Sequence, residues 1–272
     1  MEWSKLKNII ILILLLANLF LLVMTGVQQR STAQRQKQSL DDAVSVLERS
    51  GIRLDRDLLP PELELVPLTV ERDQGSEADL AAALLGSCSA RDLGSGRHTY
   101  EGELGTAEFR SNGNFSFAFS TGALPVDQPG GEEAHALATL EKIGFTGAPV
   151  SRQEEGGRTL LVLRQTWQDL PVFSCQVTLA YEDGCLQSIS GQRLMGSPQQ
   201  AADRSEPLSV PTALLRFLSG VTSLGDVCSE ITAMSPAYLL TADATRLTPI
   251  WYVTTDTGTY SLNAVTGALE RA

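Results

Sequence analysis

Few residues in this 272-residue chain are of a type that does chemistry, and their spacing keeps them apart. His98 and His135 have no nucleophile and acid beside them in sequence, so no Ser/His/Asp or Cys/His set can be read locally. Cys88, Cys175, Cys185 and Cys228 form no CxxC pair and stand far from both histidines, which does not make a zinc site. Asp41-Asp42 and Glu154-Glu155 could hold a cation, but adjacent carboxylates on a polar stretch are more simply solvated. Gly94-Ser95-Gly96 and Gly156-Gly157 lack the strand–turn–helix context of a phosphate loop and read as turns. No nucleophile elbow or zinc helix occurs either. The expectation is a protein that is not an enzyme and uses no cofactor and no metal.

Composition narrows the partners. A net charge of -11 argues against nucleic acid, which needs a basic patch to meet its phosphates, and against docking on an anionic lipid surface. Hydrophobic content of 43% with 19% charged residues suits a globular protein with a real core.

The exception is the N-terminus. Ile9 to Val27 is an apolar run broken by Asn18 and Thr25, and as a helix it spans roughly 28 Å, close to a bilayer's hydrocarbon core. A cleaved signal peptide has a shorter apolar region, and the best cleavage-like site, Ser31-Thr32-Ala33, lies past a polar segment containing Arg30. An uncleaved anchor in membrane lipid is expected. Lys5 and Lys7 precede the span while Arg30, Arg35 and Lys37 follow it, so charge counting alone leaves orientation open. The short leading tail favours a single-pass cell-membrane protein with a cytoplasmic N-terminus and an extracellular C-terminal domain. Ser4, Ile11, Asn18 and Thr25 recur every seven residues and form one stripe of that helix, flanked by Leu14, Leu15, Leu21 and Leu22. Asn18 falls near mid-span, where an amide favours an interhelical hydrogen bond, so this stripe is the candidate partner-binding face.

Beyond the span, Gln28 to Gln38 reads as a helical stalk. Ser39-Leu40-Asp41-Asp42 reads as a helix start that ends at Gly51. Strands are expected at 63–70, 97–102, 106–110 and 115–120, with a helix at 78–85 and a hairpin turn at Asn112-Gly113. The Pro- and Gly-rich stretch 121–133 marks a boundary. A helix at 133–143 and strands at 158–167, 171–181 and 185–194 follow. After a second linker at 196–207 the order recurs: a helix at 211–218 stopping at Gly220, then strands at 230–240, 249–255 and 259–263. Leu170-Pro171-Val172-Phe173 meets Thr248-Pro249-Ile250-Trp251 at an offset of 78, which also aligns Leu137 with Leu215 and Leu140 with Leu218. The fold class is therefore α+β, with two helix-plus-antiparallel-sheet units after the membrane helix. The divisions are 1–28 (tail and membrane helix), 29–122 (stalk and N-terminal α+β region), 123–196 (first unit) and 197–272 (second unit). Phe173, Cys175, Val177, Leu179 and Tyr181 alternate with polar residues, which places Cys175 on a buried strand face as a free thiol. Trp167, Phe173, Trp251 and Tyr252 could line a groove, though strand aromatics are more often core.

The two termini carry a resemblance. Met1-Glu2-Trp3-Ser4-Lys5-Leu6-Lys7-Asn8-Ile9, followed by an aliphatic run with Asn18, Phe20, Leu21 and Leu22, resembles the YycI proteins of Gram-positive bacteria. Pro249-Ile250-Trp251-Tyr252-Val253, then Gly258, Tyr260 and Asn263-Ala264-Val265-Thr266-Gly267, is similar to that family's closing segment. The resemblance implies an accessory membrane protein of the WalK–WalR (YycG–YycF) two-component system of cell-wall control. It implies contact with the sensor histidine kinase largely through transmembrane helices, with a YycH-like protein as a further partner. The cysteines depart from such exported domains, which often have none.

Two other classes stand beside that expectation. Helix-on-sheet units of this size resemble PepSY-like domains, which makes an extracytoplasmic module that restrains a peptidase or binds cell-wall ligands the alternative. An anchored cell-wall hydrolase is the third, and a polar cleft with converging acids would favour it.

Overall fold

The computed structural model describes residues 15, 18, 20, 34–60, 65–128, 130–202 and 205–272. The expected membrane span lies outside these, apart from Leu15, Asn18 and Phe20, which are helical and exposed. Among the described residues no helix is long and apolar enough to cross a membrane.

The architecture is α+β, with four helices and one large sheet among the described residues. Helix α1 covers 34–49. It runs unbroken through Ser39 rather than starting there, because residues 34–38 are Gln, Arg and Lys, whose straight side chains lose little freedom in a helix. Its first turn and a half is exposed; Ala43, Val44 and Leu47 then bury one face, and Gly51 at φ 86° ends the segment. Helix α2 (Gln74–Leu85) is capped by Asp73, whose carboxylate accepts from the Ser76 amide at 3.1 Å. Helix α3 spans Glu132–Lys142.

Helix α4 spans Val210–Leu224 and passes through Gly220 instead of stopping there; Gly225, at φ 72°, is its left-handed cap. Gly220 has a packing role. A Cβ there would sit 2.6 Å from the Leu269 Cβ, so the missing side chain lets the helix lie close on the final strand.

Six short strands precede α3: β1 (Arg53–Leu54), β2 (Leu68–Thr69), β3 (Cys88–Asp92), β4 (Arg97–Gly102), β5 (Gly105–Arg110) and β6 (Asn114–Phe119). Between α3 and α4 lie β7 (Gly147–Glu155), β8 (Arg158–Trp167), β9 (Leu170–Glu182), β10 (Cys185–Gln192) and β11 (Gln199–Gln200). After α4 come β12 (Glu230–Leu240), β13 (Arg246–Thr255), β14 (Thr259–Asn263) and β15 (Leu269–Arg271). One sheet half runs β7-β8-β9-β10-β6-β5-β4-β3, all antiparallel. The other is the meander β12-β13-β14-β15, with β2 pairing the start of β13, β11 pairing β2, and β1 running parallel to β12. A single parallel bridge, Val172 to Tyr238, joins the halves.

Two cores follow. The central core is built from α2, α3 and the first half-sheet, with Phe109, Phe115, Phe117, Leu140, Leu161, Val177 and Leu179 inside. The terminal core is built from both ends of the described chain: Val44 and Leu47 of α1, Leu214 and Phe217 of α4, and Trp251, Val253 and Leu262 of the second half-sheet. Segment 29–122 is thus divided between the two. Its described residues through Val70 join the terminal core, and those from Ala81 join the central one. The chain stretch 121–133 separates no cores, because β6 pairs with β10 across it.

The 78-residue register holds for the helices, but not through both leucine pairs: Leu137 and Leu215 are exposed, and the buried equivalents are Ala136, Thr139 and Ile143 with Leu214, Phe217 and Val221. It fails for the strands. Each helix leads into a four-strand meander, and β9 is third in the first while β13 is second in the second. The extra strand in the first is β7, an edge strand exposed along nearly its whole length.

Strand β9 also slips phase. Cys175, Val177, Leu179 and Tyr181 are buried as the alternation predicts, but Val172 replaces Phe173 as the next inward residue. The cause is a bulge: Arg164 faces Gln176 while Thr166 faces Pro171, so β9 carries extra residues there and its pleat inverts.

Candidate functional site

The chain passes from the terminal to the central core at 70–73 and back at 193–196, and these two crossings lie side by side. The Asp73 amide donates to the Met195 carbonyl at 2.9 Å. A Cβ on Gly196 would fall 2.0 Å from the Glu71 carbonyl oxygen, so only glycine permits this approach. Beside the crossings is a cleft of about 330 Å³. Its walls are the first turn of α2 (Asp73, Ser76), the end of α3 (Ile143, Gly144), the end of β8 (Gln165, Trp167) and the returning segment from Arg193 to Pro198.

Arg193 borders this cleft and is only 8% exposed. Its backbone amide donates to the Gly113 carbonyl at 3.0 Å, so the Asn112-Gly113 hairpin sets its position. Gln192 Nε2 fixes the same turn through the Asn112 carbonyl at 2.8 Å. The Arg193 Nε donates to the Leu194 carbonyl at 3.1 Å; Nη1 has no hydrogen-bond partner among the described residues. Burial pulls this guanidinium below its ordinary value, with the charge of Glu77 acting the other way. Gln165, 5% exposed, accepts from the Leu194 amide at 2.9 Å and closes the floor.

Glu77 is nearly fully buried and already engaged. Arg72 grips it with two bonds, Nε to Oε1 at 2.7 Å and Nη2 to Oε2 at 2.9 Å. Arg72 also donates to the Gly96 carbonyl at 2.8 Å and lies 3.1 Å from His98 Nδ1. Arg72 thus takes both oxygens of the buried carboxylate, and Arg193 is left without an ion-pair partner among the described residues.

The sequence-predicted residues are distributed as follows. Ser4, Ile11 and Thr25 lie outside the described residues, and Asn18 is helical and exposed. Trp167 borders the cleft, whereas Trp251 is a core residue at 1% exposure. Phe173 and Tyr252 stack at 4.0 Å, with the Arg164 guanidinium 4.1 Å above the Phe173 ring, on the sheet face away from Trp251 and Val253. Gln168-Asp169 (φ 50° and 64°) and Asp183-Gly184 (φ 50° and 72°) are hairpin turns, as are Gly156 and Gly157. His135 Nδ1 meets the Tyr181 hydroxyl at 3.1 Å, and burial lowers its pKa. Among the described residues no three His, Cys, Asp or Glu side chains converge as a metal site would require. Asp41 accepts from Arg56, and Glu154 pairs with Arg152.

Sequence reading missed Arg193, which looked like the tail of a strand. The run Arg193-Leu194-Met195-Gly196 held the signal: one cation among apolar residues, with a glycine for close approach.

No family model and no curated protein matches the chain. Among solved structures, the Bacillus megaterium YpeB C-terminal domain is similar over 74% of this chain and 98% of that one, at 13% identity and a TM-score of 0.40, too loose a likeness to carry an argument.

Proposed function

We propose that this chain is a membrane-anchored, non-catalytic regulator that acts on a sensor histidine kinase of the WalK type by transmembrane and extracytoplasmic contact. The observation that carries the reading is the N-terminal motif with its aliphatic run and central Asn18, together with the similar closing segment from Pro249 to Gly267. The fold is compatible with it in one respect. The stalk segment α1 is seated in the terminal core through Ala43, Val44 and Leu47, so whatever moves that helix moves the domain.

The test is reconstitution of the full chain with a WalK-type kinase in liposomes, reading autophosphorylation. The expected result is a change in rate on adding the full chain, largely lost in Asn18→Leu and retained in Leu16→Ala. An unchanged rate with the full chain, or an equal effect from residues 34–272 alone, would defeat the reading.

The cleft beside Arg193 favours a second reading, an extracytoplasmic binding module of PepSY-like type for a peptidase or a cell-wall ligand. An effect on the kinase that appears only when such a ligand is present would unite the two.

A further inference from the structure

We propose that the cleft at the junction of the two cores binds a ligand carboxylate carried on an apolar body, with Arg193 as its anchor. The inference stands on the cleft alone and does not require the kinase reading.

A guanidinium removed from water is costly unless a partner of opposite charge or good hydrogen bonds replace the lost hydration. Arg193 is 8% exposed, enters no ion pair among the described residues, and leaves Nη1 without a hydrogen-bond partner. Glu77, the buried carboxylate whose charge it feels, has both oxygens bonded to Arg72. Arg193 therefore has no carboxylate of its own in ion-pair contact among the described residues.

The rest of the lining sets what kind of anion fits. Leu80, Ile143, Trp167, Leu194 and Met195 give apolar walls, and the volume of about 330 Å³ lies at the lower end of small-ligand pockets. A hydrated inorganic anion would leave those walls against water. A carboxylate on an aliphatic or aromatic body satisfies both parts, meeting the charge of Arg193 where that residue borders the cleft, since Nη1 itself is closed to solvent. The N-terminus of α2 also opens here, but Asp73 already caps it and brings a negative charge to the rim, so the anchor is the guanidinium and not the helix end. Two sources supply this chemistry: the C-terminus of a short peptide ending in an apolar residue, or a free aryl or alkyl acid.

The experiment is calorimetric titration of the full chain in detergent with four probes. These are N-acetyl-alanyl-alanyl-leucine, the same tripeptide as its C-terminal amide, phenylacetate and phenylacetamide. At least one acid should bind at least tenfold more tightly than its amide. Tighter binding of the tripeptide points to peptide termini, and tighter binding of phenylacetate to free acids. Arg193→Gln should remove the preference for the acid, and Arg193→Lys should keep it in weaker form. If loss of Arg193 unfolds the protein, Thr146→Trp, at an exposed position on the rim, fills the cleft from outside and should abolish binding with the fold intact. Equal affinity for acid and amide, acid binding untouched by Arg193→Gln or Thr146→Trp, or no heat with any probe overturns the proposal.

Discussion

The central and terminal cores are of similar make, each a pair of helices on a mainly antiparallel sheet, yet the chain reaches them differently. The central core is assembled almost entirely from one continuous stretch, Ala81 to Ile189, and most of its strands pair with sequence neighbours through tight turns. A chain of aromatic contacts runs through it, with Tyr100, Phe115 and Phe117 each within about 6 Å of Phe109. The terminal core closes residues 43–70 onto residues 210–264 and borrows Val172, Cys175 and Leu194 from the middle. Closing such long loops is entropically unfavourable before any contact forms, so this core depends on the central one being in place. The lesson is that the half carrying the stalk helix is the half with the least local support.

The largest test of this contrast compares two deletions of aromatic bulk. Trp251→Ala and Phe117→Ala should each lower stability by about 3–5 kcal/mol. Their hydrogen-exchange patterns should differ. Trp251→Ala should open α1, α4 and β13 while β4–β6 and β8–β10 stay protected, whereas Phe117→Ala should release both halves together. Equal loss of protection in both halves of the Trp251 variant would show that the cores are one cooperative unit.

Breaking the ion pair at the crossing comes next. Glu77→Ala strands Arg72 inside the protein and should lower stability by about 3 kcal/mol in chemical denaturation. Glu77→Gln, which keeps hydrogen-bond capacity, should lower it by less.

A third effect is absent at neutral pH and grows only in alkali. Burial pushes the Cys175 thiol, in the terminal core, up to about 12 from an ordinary value near 9. Below about pH 9 the thiol is neutral in folded and unfolded chains alike, so stability is independent of it. From there to about 12 the unfolded chain loses the proton first, and stability falls as pH rises, by about 1.4 kcal/mol per unit. Alkaline denaturation should therefore be shallower in Cys175→Ala than in the parent. The same thiol should resist a polar thiol reagent until the chain unfolds.

The smallest effect is at the surface. Arg53 and Glu230 pair at 3.4 Å with side chains 75% and 47% exposed, and Arg53→Ala should change stability by under about 0.5 kcal/mol.

What could be read in the sequence follows the same division. Strands β8, β9 and β10 were legible because Cys175 to Tyr181 alternate and Asp183-Gly184 demands a left-handed turn, while the phase slip in β9 that turns Val172 inward in place of Phe173 was not. Strand β7 was not. It is an edge strand exposed on both faces, and Gly-Ala-Pro-Val-Ser-Arg-Gln-Glu-Glu carries no alternation to detect. The merging of 74–122 with the first unit was hidden too, since the β6–β10 pairing links residues seventy or more positions apart. The helices were legible but their inward faces only in part: of the leucine pairs that the offset aligns, Leu140 and Leu218 turn inward, whereas Leu137 and Leu215 are exposed. The candidate cleft was not legible, because it is made where four separate segments meet and only one of them, at Arg193, brings a charge that the fold leaves unpaired.

Strand β9 has a mechanical consequence. Val172 and Cys175 are clamped in one core, and Val177, Leu179 and Tyr181 in the other, so the two halves share a thirteen-residue strand and not a slack tether. A tug or twist delivered along α1 enters the terminal core and has no loose joint in β9 in which to dissipate. It must arrive at the central core as torsion of one pleated rod, whose bulge between Pro171 and Gln176 is the place where that rod can wind or unwind.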